Sequence, residues 1–102
     1  MRILVFFDLP TVGREQKRAY LRFRNFLLKD GYDMLQWSIY ARIANGSDRL
    51  DKHRKRLRAH LPPDGSVRCL VVSEKQFASI EILVGPIKSQ EKVINADQLL
   101  LI

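Results

Sequence analysis

The segment RILVFFDLPT, residues 2–11, constrains the fold most because it predicts a β-strand that is apolar on both faces. Side chains alternate between the two faces of a strand, so residues 2–8 divide into two sets. One face carries Ile3, Val5 and Phe7, and the other carries Leu4, Phe6 and Asp8. Pro10 then stops the strand. Both faces must be covered, so we expect helices on one face and a different element on the other.

Hydrophobic spacing and turn residues predict the remaining elements. They are helices at 12–30 and 48–61 and strands at 34–43, 66–73, 78–84 and 98–102. The buried stripe of the first helix consists of Tyr20, Phe23, Phe26 and Leu27. Gly31 occupies the position of a left-handed residue that ends a helix.

The predicted strand at 34–43 is amphipathic. One face carries Leu35, Trp37, Ile39, Ala41 and Ile43, and the other carries Gln36, Ser38, Tyr40 and Arg42. The second face is polar but contains a tyrosine, which is typical of a partly wet interface.

The order strand, helix, strand, helix, strand, strand predicts an α+β fold, but spacing alone does not give the pairing of the strands. Two helices on one face of the sheet would leave Leu4 and Phe6 uncovered on the other. We therefore expect a sheet-to-sheet homodimer. The segment QLLLI, residues 98–102, is expected to add to an edge of the sheet, either its own or that of a partner.

The length of 102 residues fits a single domain, 1–102, in which 86–102 is a C-terminal extension that contributes an edge strand. The net charge of +7 lies in residues 1–65, which hold 14 basic and 7 acidic residues. This asymmetry favours a polyanionic partner, the alternative being a merely soluble basic surface. A single cysteine, Cys69, is interpreted as a buried thiol. The sequence contains neither a signal peptide nor a membrane span, so a cytoplasmic protein without membrane contact is expected.

Asp8 is the leading candidate for chemistry because a carboxylate at the end of a strand is a suitable ligand for Mg²⁺. A single carboxylate binds a metal ion only weakly, but two copies of Asp8 related by a twofold axis could share one ion. The metal could then lower the pKa of a bound water and stabilise charge on a phosphate. The alternative is a structural role, in which Asp8 accepts backbone hydrogen bonds in the turn DLPT.

Basic residues are concentrated in the two helices, where 14–29 and 49–58 hold twelve of the eighteen. The candidates for phosphate contact are Arg14, Arg18, Arg22, Lys52, Arg54, Lys55, Arg56 and Arg58. A base-reading motif does not accompany them, which favours contacts to the nucleic-acid backbone. His53 and His60 are interpreted as filling the thin apolar stripe of the second helix, with acid–base chemistry as the alternative.

Three segments in this order resemble the CRISPR-associated protein 2 family, the small subunit of the CRISPR adaptation module. They are LVFFDLP at 4–10, YLRFRNFLLKDGYDMLQWSIYARI at 20–43 and SEKQFASIEILVG at 73–85. The resemblance covers almost the whole chain. It implies a ferredoxin-like fold and a homodimer through the sheets, with the C-terminal strand completing the partner's sheet.

The resemblance also implies a function. Members bridge two dimers of the CRISPR integrase and hold double-stranded prespacer DNA on a basic surface during spacer acquisition. Several are described as metal-dependent endonucleases on RNA or DNA, with the aspartate of the first strand, here Asp8, as ligand. Some members have a tyrosine before this aspartate, and Phe7 stands there in this chain. The alternatives are a free-standing, toxin-like metal-dependent ribonuclease and a regulatory domain for a small ligand.

Overall fold

Four antiparallel strands form one sheet in the computed structural model, which describes residues 1–86. The elements are β1 (Arg2–Asp8), α1 (Arg14–Lys29), β2 (Asp33–Gln36), β3 (Ile39–Ile43), α2 (Ser47–Ala59), β4 (Ser66–Val72) and α3 (Glu74–Ala78). Through β4 their order is βαββαβ, and the strands lie side by side as β2-β3-β1-β4. This is the ferredoxin-like arrangement, so the fold prediction is confirmed. The predicted strand at 98–102 lies outside the described residues.

The helices α1 and α2 both cover one face of the sheet, here called the helix face. The three apolar residues of β1 on this face pack with Phe23 and Leu27 of α1 and Leu57 of α2. The ring of Phe7 lies 5.2 Å from that of Phe23, edge to face, and 5.6 Å from that of Tyr40. The predicted division of β1 into two apolar faces is therefore confirmed, and so is the placement of both helices on one of them.

The predicted single strand at 34–43 is wrong, because a hairpin of β2 and β3 occupies this segment. Ser38 has a φ of 63°, and the pairing slips between Met34 and Gln36. Within β3 the side chains alternate as predicted, but Tyr40 pairs with Val5 on the helix face, so the face that was expected to be partly wet is packed in the core. Trp37 lies in the turn, and its side chain is 77% exposed. Strict alternation had assigned both residues to the wrong environment.

The predicted strand at 78–84 is also wrong, because a short helix ends at Ala78 and residues 79–86 form no strand. Ser73 starts this helix: its hydroxyl accepts a hydrogen bond from the Gln76 amide, and the Gln76 side chain accepts one from the Ser73 amide. This reciprocal cap satisfies two backbone donors and favours helix over strand at that point. The segment after it finds no strand to pair with inside residues 1–86.

The second face of the sheet, here called the open face, is only partly covered. Phe77 of α3 is buried there against Leu4 and Ala41. The guanidinium of Arg2 lies 4.2 Å from the centre of the Phe77 ring and pairs with Glu74 at 3.2 Å. Exposed apolar residues remain along this face and in the following segment: Ile43, Leu70, Ile80, Ile82, Leu83 and Val84. The sheet-to-sheet homodimer stays a prediction that this surface supports.

The structure corrects two further expectations, the burial of Cys69 and the end of the second helix, and confirms a third at Gly31. Cys69 is exposed rather than buried because β4 is an edge strand of the described sheet. The second helix ends at Ala59, not at 61, since residues before a proline avoid helical geometry and Pro62 follows closely. Gly31 has a φ of 90° and ends α1 as predicted. The helices within residues 1–86 are too short or too polar to cross a membrane.

A polar network fastens α2 to the end of α1. Asp30 accepts hydrogen bonds from Arg56 and from Nδ1 of His53, each over 2.9 Å, and its side chain is only 7% exposed. Arg42 of β3 donates to the main-chain carbonyl of Asp30. His53 is thus a buried, hydrogen-bonded residue, as predicted from its place in the apolar stripe of the second helix. His60 is exposed and stacks on Phe26 with ring centres 4.1 Å apart.

Candidate functional site

Asp8 is the last residue of β1 and lies on the open face at the end of the strand. It is exposed and pairs in register with Ser66, the first residue of β4. None of the hydrogen bonds and ion pairs within residues 1–86 involves its carboxylate. The structural role considered for this residue, acceptance of backbone hydrogen bonds in the turn DLPT, therefore finds no support in that part of the chain. Its carboxylate is available to a ligand.

Gly65 brings the loop before β4 into contact with the Asp8 backbone. It has a φ of +90°, and a Cβ added to it would lie 2.7 Å from the Asp8 carbonyl oxygen and 2.8 Å from Cδ2 of Leu9. Both distances are shorter than side-chain carbons tolerate, so glycine is required here on conformational and steric grounds. The loop and the strand end are therefore packed backbone to backbone, which fixes the position of Asp8.

The turn between β2 and β3 lies on the other side of Asp8. The amide of Phe7 donates a hydrogen bond to the Ser38 carbonyl over 3.0 Å. Trp37 and Asp8 are the chain neighbours of these two residues, so the Trp37 backbone lies near the end of β1, and its exposed ring lies toward α1. Its ring stacks on that of Tyr20 of α1, with centres 6.4 Å apart and planes inclined by 24°.

Arg68 is a candidate that the sequence analysis missed. It pairs with Phe6 and therefore lies on the open face, one pleat along from the Ser66–Asp8 pair. Diagonal neighbours across two strands lie within reach of long side chains. An exposed guanidinium in this position is suited to a phosphate oxygen. The sequence does not indicate that Arg68 lies near Asp8, because this proximity depends on the pairing register of β1 and β4.

The described residues do not form a metal site from one chain alone. Residues 1–86 contain no group of three His, Cys, Asp or Glu side chains that could hold an ion. Mg²⁺ commonly uses one or two protein carboxylates and completes its shell with waters and substrate phosphates. The exposed Asp8 carboxylate fits such a site only if a second copy of it, or a bound phosphate, supplies further oxygens.

The predicted basic residues lie on the helices, on the side of the sheet opposite Asp8. Those of α1 are exposed, and Arg18 is paired with Glu15 at 3.2 Å. On α2, Lys52, Lys55 and Arg58 are exposed, whereas Arg54 is half-buried and Arg56 is engaged by Asp30. The structure does not bring the eight candidates together with Asp8. It separates a carboxylate on one face from a basic surface on the other.

Sequence comparison places this arrangement in a known family. The family model described as CRISPR associated protein Cas2 matches residues 1–80, which span every element of the described fold. The chain belongs to the Cas2 family. The resemblance in the three sequence segments is thus confirmed.

Relatives in the Cas2 family match over nearly the whole chain. The CRISPR-associated endoribonuclease Cas2 of Acidovorax ebreus (strain TPSY) is 59% identical over 101 residues, covering 99% of each chain. The protein of the same name from Campylobacter jejuni is 43% identical over 101 residues, covering 99% of this chain and 71% of that one. The crystal structure of Streptococcus pyogenes Cas2 at pH 6.5 superimposes with a TM-score of 0.59 at 20% identity, covering 82% of this chain and 100% of that chain. At this identity the structural match supports the fold alone.

Proposed function

We propose that this protein is a dimeric, Mg²⁺-dependent endonuclease that uses Asp8 as its catalytic carboxylate. The observation that carries the proposal is the exposed Asp8 carboxylate, which has no protein partner within residues 1–86 and stands at the rim of an apolar face. The relatives from Acidovorax ebreus and Campylobacter jejuni are named endoribonucleases, so RNA is the first substrate to test and DNA the second.

A second copy of the chain would complete the site. The open face exposes apolar side chains that a monomer leaves in water, and a twofold contact through this face would cover them. Each copy contributes one Asp8, and the pair would hold Mg²⁺ between them. Bound there, Mg²⁺ would lower the pKa of a water and stabilise negative charge on the phosphate under attack.

The chain's own residues would position the substrate. The close contact with Gly65 and the pairing with Ser66 would fix the backbone position of Asp8 at the end of β1. Arg68, on the same face, would bind a phosphate oxygen and orient the scissile bond. Phe7 offers no hydroxyl, so the tyrosine that some family members have before the aspartate contributes nothing here.

A second proposed function is that of an adaptor in spacer acquisition. The exposed basic side chains of α1 and α2 lie on the side away from the open face, so they stay accessible when that face is covered. They would bind the backbone of double-stranded prespacer DNA while the dimer bridges two integrase dimers in the cytoplasm. DNA binding of this kind needs no catalysis. The alternative, a free-standing, toxin-like ribonuclease, does require it.

Cleavage is tested by comparing the wild type with Asp8→Asn on RNA and DNA, with Mg²⁺ and with EDTA. We expect Mg²⁺-dependent cleavage that Asp8→Asn abolishes while light scattering still shows a dimer. Asp51→Asn is the matched control, because it removes the same charge from an exposed carboxylate on α2. Equal cleavage by the wild type and Asp8→Asn would refute the catalytic role.

Spacer acquisition in cells that carry the integrase separates the two functions. If acquisition persists with Asp8→Asn, the adaptor function is independent of cleavage. Charge removal at Lys52, Lys55 and Arg58 should then reduce both acquisition and DNA affinity. Each phosphate contact that is lost should also lower the salt slope of DNA binding by about one unit. Unchanged affinity and slope would refute the basic surface as the DNA site.

A further inference from the structure

A second exposed apolar surface lies on the helix face, at the β2 edge of the sheet. Leu21 and Leu28 of α1, Met34 of β2 and Trp37 of the following turn are 51%, 41%, 41% and 77% exposed, respectively. Met34 pairs with Tyr40, which packs in the core of the helix face, so Met34 lies on that same face. These four exposed residues, here called the flank surface, are separate from the open face.

The position of the two leucines follows from the contacts of their neighbours on α1. Leu28 comes one residue after the buried Leu27 and therefore lies about 100° round the helix from it. Phe26 comes one residue before Leu27 and lies on the other side, where its ring stacks on that of His60 at the end of α2. Leu28 thus faces away from α2. Leu21, seven residues earlier, belongs to the same stripe.

Trp37 is held against this side of α1. Its ring stacks on that of Tyr20, with centres 6.4 Å apart and planes inclined by 24°. Tyr20 in turn contacts Phe7 of the core, with ring centres 6.2 Å apart. Tryptophan is among the residues that gain most from burial. An indole that is fixed in this way and yet stands largely in water indicates a surface that a partner covers.

The two helices leave the β2 side of the sheet uncovered. The helix α2 lies on the opposite side, where Leu57 lines a groove together with Val67 and Val71 of β4. The helix α1 lies between α2 and the flank surface. Neighbouring helices pack about 8–10 Å apart, so one further helix beside α1 would complete the layer over β2.

Positive charge accompanies the flank surface. Lys17 precedes Leu21 by four residues and Arg24 follows it by three, so both cations share its stripe on α1. Lys17 is exposed and Arg24 is half-buried. Asp33, the acidic residue of β2, pairs with Ala41 of the open-face cluster and therefore lies on the opposite face. A partner with complementary charge would carry acidic residues beside its apolar ones.

We propose that the flank surface binds an acidic amphipathic helix of a partner protein, which packs beside α1 over β2. The apolar stripe of that helix would cover the four exposed side chains, and its acidic residues would pair with Lys17 and Arg24. A protein is favoured over a nucleic acid, because leucine and methionine side chains neither stack on bases as rings do nor neutralise phosphates. The surface lies on the face opposite Asp8, so this inference goes beyond the proposed nuclease function and names a site that DNA binding does not require.

Intrinsic fluorescence tests the site because all of the tryptophan signal comes from Trp37. The full-length protein is titrated with a tryptophan-free helical peptide of about twenty residues, long enough to form a helix. The peptide carries leucines along one face, glutamates beside them and alanines elsewhere, and a second peptide has lysines in place of the glutamates. We expect the acidic peptide to shift the emission to shorter wavelengths and to saturate at one peptide per chain, and the lysine peptide to cause no saturable shift.

Variants assign the binding to the flank surface. Leu21→Ser should weaken binding of the acidic peptide by about three- to tenfold, the loss expected when a half-exposed leucine no longer contributes apolar area. Leu61→Ser is the matched control, since Leu61 is 50% exposed but lies after α2, and it should bind like the wild type. Lys17→Glu should weaken binding of the acidic peptide and allow the lysine peptide to bind.

Three outcomes would overturn the inference. Equal binding of the two peptides, or equal affinity of Leu21→Ser and the wild type, would refute the match of shape and charge. A buried-type emission of Trp37 before any peptide is added would assign the flank surface to residues 87–102 or to a second copy of the chain. The same shift on addition of an oligouridylate would assign it to a nucleic acid. Cleavage and spacer acquisition do not enter these measurements, so failure of either proposed function leaves the inference standing.

Discussion

The contact between Gly65 and the backbone of Asp8 predicts that Gly65→Ala both destabilises the fold and displaces the Asp8 carboxylate, which we propose to be catalytic. The backbone there has a φ of +90°, which costs a residue with a Cβ about 1–2 kcal/mol. The new methyl group would also lie 2.7 Å from the Asp8 carbonyl oxygen, which is a backbone atom and cannot rotate away. Overpacking of this kind costs about 1–3 kcal/mol.

Gly46→Ala is the control for the conformational part of this cost. Gly46 has nearly the same φ, +88°, but an added Cβ would meet nothing within 4 Å. It also precedes α2 as the cap residue, where alanine is a clearly worse choice than glycine, so the comparison underestimates the cost of the close approach at Gly65. The difference between the two variants therefore isolates the close approach to Asp8.

Thermal unfolding followed by circular dichroism measures both variants. Gly65→Ala should lose about 1–3 kcal/mol more than Gly46→Ala, which corresponds to at least about 4 °C in Tm for a domain of this size. Nuclease activity well below either Tm should fall for Gly65→Ala and stay at the wild-type level for Gly46→Ala. Equal Tm values, or a fully active Gly65→Ala, would refute the argument that this glycine positions Asp8.

Two further predictions concern buried polar groups. Asp30→Ala should lower the free energy of unfolding in urea by about 3 kcal/mol, because the buried His53 ring loses its carboxylate acceptor. Arg56→Ala should cost at most about 1 kcal/mol, since that partner is 46% exposed, and equal losses would contradict the network. Burial raises the pKa of Tyr32 well above its ordinary value, so the wild type should lose stability as the pH rises above about 10, where the tyrosine of the unfolded chain ionises. Tyr32→Phe should reduce that alkaline loss and change stability little at pH 7, because the hydroxyl has no hydrogen-bond partner within residues 1–86; the same alkaline decline in both proteins would refute this.

Local pattern predicted the parts of this protein that depend on near neighbours. The sequence was sufficient to predict the apolar run of β1, the buried stripe of α1 and the glycine that ends this helix. The side chains of a strand alternate every two residues and those of a helix repeat every 3.6, so both patterns are local. Asp8 was identified for the same reason: a carboxylate directly after a buried strand is visible in the sequence. The family resemblance supplied the fold where spacing left the strand order open.

The errors arose where a turn or a cap overrode the local pattern. Alternation predicts one strand through 34–43, but the left-handed Ser38 interrupts it. Trp37 lies in the resulting turn and is exposed, whereas the face that carries Tyr40 is packed in the core. The segment after β4 is apolar enough for a strand, yet the cap of α3 at Ser73 starts a helix instead. Alternation and apolar composition give no warning of either change.

The sequence by itself determined the two-faced first strand, the basic helices and the carboxylate at the strand end. Only the tertiary structure decided what surrounds that carboxylate. Gly65 and Arg68 are 57 or more residues from Asp8 in the chain and approach it through the register of β4 and the loop before that strand. Strand pairing depends on long-range hydrogen bonds and on the packing of whole faces, so a local pattern cannot specify which residues meet.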